Sequence, residues 1–219
     1  MRIAVPEFEK RFFWRLFASA KSGSMKEVAT HPLRSFYKAR DRWYECSHPD
    51  HPMLVRQANE FLERHLTRDH VGFEWGSGGS TVWFAKSTRS LVSIEHHAGW
   101  HRSVTERLAQ QGSANVDFRL VALDHDESIE CVAEYPTLPT YVGQINDFPS
   151  GHFDYCLVDG HYRPTCILAA LDKIKAGGFL IVDDSQWLSH SAWRVPASWQ
   201  VAVRKHSGMK ETTVWVKPA

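Results

Sequence analysis

Acidic side chains lie at or next to the ends of two apolar runs of the sequence, and a glycine-rich turn follows the first run. The run at 71–75 contains Glu74 and leads into a glycine-rich turn, and the run at 91–95 ends in Glu95, 21 residues after Glu74. A glycine turn before a helix leaves backbone N–H groups free to bind an anion, and a carboxylate after the next strand accepts both hydroxyls of a ribose. The turn contains Gly76, Ser77, Gly78, Gly79 and Ser80. This spacing predicts a site for a ligand that carries a ribose.

Three further carboxylates follow two later apolar runs. Asp159 ends the run FDYCLVDG, and Asp183 and Asp184 end the run FLIVDD. Carboxylates at one sheet edge repel one another unless they are protonated, point apart or share a cation. Because oxygen-only ligands suit Mg²⁺, these three residues are a predicted Mg²⁺ site. The alternative is that Asp183 stabilises the fold or contacts a substrate directly.

His161 and Arg163 directly follow Asp159. His161 can accept a proton near neutral pH, and Arg163 can hold an acidic group through two parallel hydrogen bonds. Asp159 and His161 are therefore the predicted catalytic bases. The competing interpretation of His161 is packing or hydrogen bonding at the edge of the ligand.

Short apolar strands that alternate with helices must position these residues. That alternation predicts an α/β fold with a doubly wound, mostly parallel, Rossmann-like sheet and helices on both faces. In such a sheet, ligands bind beyond the carboxyl ends of the strands, where the acidic residues stand. Strands are expected over 71–75, 91–95, 116–123, 153–160 and 179–184. Helices are expected over 52–65, 80–86, 96–111 and 164–178. An antiparallel hairpin in the tail, at 200–205 and 211–217, makes the expected sheet seven-stranded.

The pattern from Glu74 to Ser80, an acid, two spaced glycines and a serine, resembles class I S-adenosylmethionine-dependent methyltransferases. The resemblance implies that Gly76, Ser77 and Gly78 wrap the methionine part of the cofactor, with Glu74 near its amino group and Ser80 near its carboxylate. The other positions that it assigns are Glu95 for the ribose, Asp124 after the third strand for the adenine side, and Asp159 for the region of the transferred methyl.

The acids after the fourth and fifth strands are similar to those of metal-dependent small-molecule O-methyltransferases of the catechol O-methyltransferase type. That resemblance implies transfer of a methyl group to a hydroxyl of a small molecule, assisted by Mg²⁺, although Asp184 stands where that family has an amide. Two alternatives remain open. One is an NAD-dependent or sugar-modifying enzyme on a similar sheet, and the other is a noncatalytic binding module that docks through a basic arm.

The N-terminal part of the chain differs in charge from the rest. Residues 1–42 contain ten Lys and Arg against four Asp and Glu, a net charge of +6, so a total of +1 leaves −5 for the remainder. We expect a basic helical cap over residues 1–48 and a cofactor-binding methyltransferase domain over 49–219. The cap contains an amphipathic helix that docks on the domain, on a partner or on a membrane surface.

Composition narrows the class of partner. Balanced total charge argues against a dedicated nucleic-acid binder, and no run of 18 apolar residues is present to span a membrane. We expect a small-molecule acceptor, with partner docking or a homo-oligomer formed through the cap. Four cysteines without CxxC spacing are typical of reduced thiols in a cytoplasmic protein.

Overall fold

The computed structural model describes residues 51–126, 134–187, 194–206 and 210–219. Six isolated positions before residue 51 are also described: Phe36, Arg40, Trp43, Tyr44, Ser47 and His48. Five of these six, all but His48, are helical and lie within residues 1–48, where a helical cap is expected. The rest of the predicted cap, including its amphipathic helix, lies outside the described residues.

Seven strands form one sheet in the order β3-β2-β1-β4-β5-β7-β6. The first five strands are parallel, and β7 is antiparallel to both β5 and β6. The strands are β1 (Val71–Trp75), β2 (Ser90–Glu95), β3 (Val116–Leu120), β4 (Phe153–Val158), β5 (Ile174–Val182), β6 (Gln200–His206) and β7 (Glu211–Val216). The predicted seven-stranded, mostly parallel α/β sheet is confirmed.

Five α-helices connect or flank these strands within the described residues. They are α1 (Arg56–His65), α2 (Gly79–Ser87), α3 (Ala98–Gln110), α4 (Thr140–Gly143) and α5 (Arg163–Lys173). The prediction that the last helix continues to residue 178 is wrong, because Ile174 is fully buried and already pairs with Phe153 at the start of β5. The third strand also ends earlier than expected, at Leu120.

Alternation along the central strands builds two cores, one on each face of the sheet. One face carries Phe73, Trp75 and Val158, which pack with α4 and α5. The other face carries Leu157 and Ile181, which pack with α1. Successive strand residues point to opposite faces, so both faces of β4 and β5 carry buried apolar side chains, as a parallel sheet covered by helices requires. In β1 only one face is apolar, because the other carries Gly72 and Glu74.

A missing side chain in β1 makes room for Tyr155 of β4. A Cβ on Gly72 would lie 1.9 Å from Cζ of Tyr155, whose ring is fully buried. The tyrosine hydroxyl lies 3.3 Å from Oγ1 of Thr88 at the end of α2. This contact joins β1, β4 and α2 below the glycine-rich turn.

Across the described parts of the chain, no helix combines the length and the apolar character that a membrane span requires. Cys156 and Cys166 are buried free thiols in the core. The hydroxyl of Tyr44 lies 3.0 Å from Nδ1 of His51.

Candidate functional site

The turns after β1 and β4 lie against each other at the carboxyl edge of the sheet. Gly76 has φ +89°, a conformation that side chains rarely adopt, and a Cβ there would lie 2.6 Å from the backbone nitrogen of Gly160. A Cβ on Gly160 would in turn lie 2.1 Å from the hydroxyl of Tyr141. Both positions therefore need glycine for close approach, and Gly76 needs it for its backbone conformation as well.

Glu74 is fully buried beneath the glycine turn. Its Oε1 accepts hydrogen bonds from the hydroxyls of Thr81 and Ser93, the latter at 2.7 Å. Its Oε2 is buried and has no hydrogen-bond partner among the described residues. Burial raises the pKa of Glu74 to about 7, although the hydroxyls of Thr81, Ser93 and Ser80 oppose that rise. A buried carboxylate oxygen without a donor favours a ligand that brings a positive charge.

Ser77 and Glu95 connect the glycine turn to the end of β2. Oε2 of Glu95 accepts from the backbone nitrogen of Ser77 at 3.0 Å and from its hydroxyl at 2.8 Å. Oε1 accepts from the backbone nitrogens of His96 and His97 at 2.9 and 2.8 Å. All four acceptor positions of this carboxylate are thus used within the protein. A ribose would have to replace the Ser77 bonds to reach it.

The remaining residues of the turn lie at the start of α2. Trp100 donates from Nε1 to the carbonyl of Ser77, and a Cβ on Gly78 would meet the same indole at 3.6 Å. The backbone nitrogen of Gly78 donates to Oγ1 of Thr81 at 2.9 Å, and Ser80 is buried in the first turn of the helix. The predicted turn is therefore a closed, hydrogen-bonded structure whose helix N-terminus faces the ligand edge.

Asp159 follows β4 and faces Arg163 at the start of α5. Nη2 of Arg163 donates to Oδ1 of Asp159 and to its backbone carbonyl, both at 3.1 Å. The side chain of Asp159 keeps 32% exposure, so a ligand can reach it. Loss of water around the carboxyl and repulsion from Asp183 raise the pKa of Asp159 to about 7, against the attraction of Arg163. A carboxylate with this pKa can accept a proton near neutral pH.

Asp183 follows β5 and pairs with Lys210, a residue that the sequence reasoning missed. Nζ of Lys210 lies 3.1 Å from Oδ2 of Asp183, and the hydroxyl of Thr212 donates to Oδ1. Burial raises the pKa of Asp183, which Lys210 and Thr212 oppose. Burial lowers the pKa of Lys210, but Asp183 and Asp159 outweigh this and hold it above its ordinary value.

The structure brings the three predicted metal ligands together. Oxygens of Asp159, Asp183 and Asp184 all lie within 4.8 Å of one another. Mg²⁺ binds oxygens at about 2.0–2.1 Å in a near-ideal octahedron. Here Lys210 already pairs with Asp183, and Arg163 pairs with Asp159 at 3.1 Å and with Asp184 at 3.7 Å. Asp184 adopts φ +51° and accepts from the amide of Gln186 at 3.1 Å. The residues present do not fit Mg²⁺ unless the ammonium of Lys210 moves away.

Histidines line the edge between the ends of β2 and β4. The ring centroid of His161 lies 6.1 Å from that of His96 and 5.6 Å from that of His125. Asp124, predicted on the adenine side, is exposed, and its carboxylate accepts from the backbone nitrogen and hydroxyl of Thr140 at 2.6 and 2.9 Å. Asp124 therefore caps α4 in this structure.

Comparison with known proteins supports the fold. No protein-family model and no curated protein matches the sequence. Among solved structures, a putative methyltransferase from Escherichia coli has a TM-score of 0.54 at 14% identity, covering 74% of this chain and 85% of its own. An rRNA methylase from Streptococcus thermophilus has a TM-score of 0.52 at 12% identity, covering 74% and 95%. A putative methyltransferase from Streptococcus mutans, in complex with SAH, has a TM-score of 0.52 at 12% identity, covering 74% and 96%.

All three neighbours are described as methyltransferases or methylases. Because only 12–14% of their residues are identical to this chain, the similarity is one of fold alone. The strand order and the antiparallel β7, together with those neighbours, define a Rossmann-like methyltransferase fold.

Proposed function

We propose that the protein is an S-adenosylmethionine-dependent methyltransferase that acts on a hydroxyl of a small molecule. The observation that carries the proposal is the unpartnered Oε2 of Glu74, fully buried under the glycine turn on the fold of the methyltransferases. The α-ammonium group of S-adenosylmethionine would supply the positive charge that this oxygen lacks. The free N–H groups at the start of α2 would donate hydrogen bonds to the cofactor's carboxylate beside Ser80.

The ribose and adenine contacts of the proposal follow from the loops after β2 and β3. Glu95 would accept the ribose hydroxyls in exchange for the two bonds that it receives from Ser77. The rings of His96 and His161 lie at the same edge and would border the adenosine. A carboxylate offers about four acceptor positions, and Thr140 uses two of those on Asp124, so Asp124 would contribute on the adenine side while keeping its bonds to Thr140.

Asp159 is the proposed base. When bound, the cofactor supplies an electrophilic methyl on a sulfonium sulfur, and the protein has to hold the acceptor oxygen in line with the sulfur–carbon bond. Asp159 would take the proton of the acceptor hydroxyl as the oxygen–carbon bond forms and the sulfur keeps the bonding electron pair. Arg163 would fix the orientation of that carboxylate. His161 follows Asp159 by two residues in the same loop and would be a second proton acceptor.

A small-molecule acceptor is supported by the balanced net charge of +1, which gives no strong electrostatic attraction for a phosphate backbone. We propose no divalent cation in the reaction, because Lys210 and Arg163 pair with the carboxylates that would bind it.

Isothermal titration with S-adenosylhomocysteine tests the cofactor assignment. We expect saturable binding in the micromolar range, and a Glu74→Ala variant should bind at least about tenfold more weakly since a charge-assisted hydrogen bond is lost. Glu106→Ala, an exposed glutamate on α3, is the matched control and should leave affinity unchanged. NAD⁺ is titrated in parallel. Absence of S-adenosylhomocysteine binding at submillimolar concentration would overturn the proposal, and binding of NAD⁺ instead would assign a dinucleotide enzyme.

A further inference from the structure

Lys210 stands where a ligated cation would otherwise balance three carboxylates. It comes from the start of the last strand, and its ammonium group pairs with the deeply buried Asp183 at 3.1 Å. Asp183 is 2% exposed, whereas the side chain of Lys210 keeps 18%. Lys210 therefore reaches the buried carboxylate while its own side chain stays partly exposed.

Two basic side chains offset most of the negative charge of the cluster without a metal ion. Lys210 and Arg163 contribute two positive charges against three carboxylates that lie within 4.8 Å of one another. If one of the three carboxyl groups is protonated, the group of five side chains is neutral. If all three are ionised, it carries a single negative charge, which is available to the base. A divalent cation added to this set would face two positive charges at close range, and like charges at such distances repel strongly in a partly buried site.

We propose that Lys210 is a built-in substitute for a divalent cation, so that this site excludes metal ions and holds its carboxylates in place through the lysine. Lys210 is a positioning residue, since it acts through Asp183 and through the charge that it places beside Asp159 and Asp184. The inference concerns cation binding alone. It extends the proposed function, but its test needs neither the cofactor nor an acceptor.

The test is the binding of Mn²⁺, measured by the loss of the free-ion signal in electron paramagnetic resonance. Wild-type protein should show no saturable binding up to millimolar Mn²⁺. Lys210→Met removes the charge and leaves three neighbouring oxygens, so its affinity for Mn²⁺ should rise at least about tenfold. Lys205→Met, on the exposed β6 strand, is the matched control and should behave as wild type. Adding Asp184→Asn to Lys210→Met should remove the gained binding.

Removing Lys210 leaves Asp183 buried without its partner, which can prevent folding. Lys210→Gln keeps a hydrogen-bond donor toward Asp183 and removes only the charge, so it serves as the second variant. In either variant Mn²⁺ should raise the melting temperature, whereas it should not do so in wild type. Tight Mn²⁺ binding by wild type, or folded Lys210 variants that gain none, would overturn the inference. Failure of S-adenosylhomocysteine binding would affect the proposed function and leave this result unchanged.

Discussion

Replacing Glu74 by glutamine should make the ligand-free protein more stable at alkaline pH and change little in acid. Glutamine has nearly the shape of the protonated carboxyl, so its Oε1 can still accept from Thr81 and Ser93. Its amide nitrogen takes the place of Oε2, which has no partner among the described residues. The substitution therefore removes mainly the cost of a buried negative charge.

The magnitude follows from the pKa of Glu74, which rises from its ordinary 4.5 to about 7 through burial. Because the folded protein holds this proton more tightly than the unfolded chain, the free energy of unfolding falls as pH rises from 4.5 to 7 and is constant above. One pKa unit corresponds to about 1.4 kcal/mol, so ionisation costs about 3 kcal/mol at pH 8 and under about 1 kcal/mol at pH 5. At pH 8 the variant should therefore gain about 3 kcal/mol over wild type, which is about 6–12 °C in melting temperature for a chain of this size.

Urea unfolding followed by tryptophan fluorescence measures the effect at pH 5 and pH 8. The relevant quantity is the variant minus wild type at each pH, because titration of all other groups cancels in that difference. Glu106→Gln on the exposed side of α3 controls for a general charge effect. A difference that does not change with pH, or a variant less stable than wild type at pH 8, would show that Glu74 is not a destabilising buried charge.

Three other substitutions test separate parts of the structure. Gly72→Ala should lower the free energy of unfolding by about 1–3 kcal/mol through overpacking against Tyr155. Gly112 has a positive φ but open space around it, so Gly112→Ala should lower the free energy of unfolding by about 1 kcal/mol. Equal losses for the two variants in urea unfolding would contradict the packing argument. Asp159→Asn should lower kcat by about 10²–10⁴ with little change in S-adenosylhomocysteine affinity. In wild type, kcat/KM should fall as pH drops below about 7, where Asp159 becomes protonated, and a flat profile from pH 6 to 8 would exclude it as the base. Glu95→Ala leaves four donors unpaired and should cost about 2–4 kcal/mol of stability and abolish S-adenosylhomocysteine binding; unchanged binding by calorimetry would refute its place in the site.

Much of the sheet was predictable because strand periodicity and the position of each acid obey local rules. Glu74, Glu95 and Asp159 each lie at the last residue of a predicted apolar run or next to it, and parallel strands bring such positions to one edge. The end of the last helix was not predictable in this way. Helical spacing continues through Ile174, and only its pairing with Phe153 in the folded sheet ends the helix.

The partners of the acids were harder to predict than the acids themselves. Thr81 and Ser93 contact Glu74 from two different elements, and nothing in their spacing indicates it. Lys210 could have been found from topology, since β7 is antiparallel to β5 and Val182 pairs with Thr213. The residue before an antiparallel strand lies beside the end of its neighbour, which here is Asp183.

The tail hairpin has a consequence for how the protein tolerates change. Edge hairpins ordinarily accept insertions and appended sequence with little effect on chemistry. Here Lys210 directly precedes β7 and Thr212 is its second residue, and both donate hydrogen bonds to the carboxylate of Asp183. A change in the length of the connection between β6 and β7 would move the ammonium group of Lys210 relative to Asp183. We therefore expect insertions there to disturb the carboxylate cluster as much as insertions in the glycine turn would.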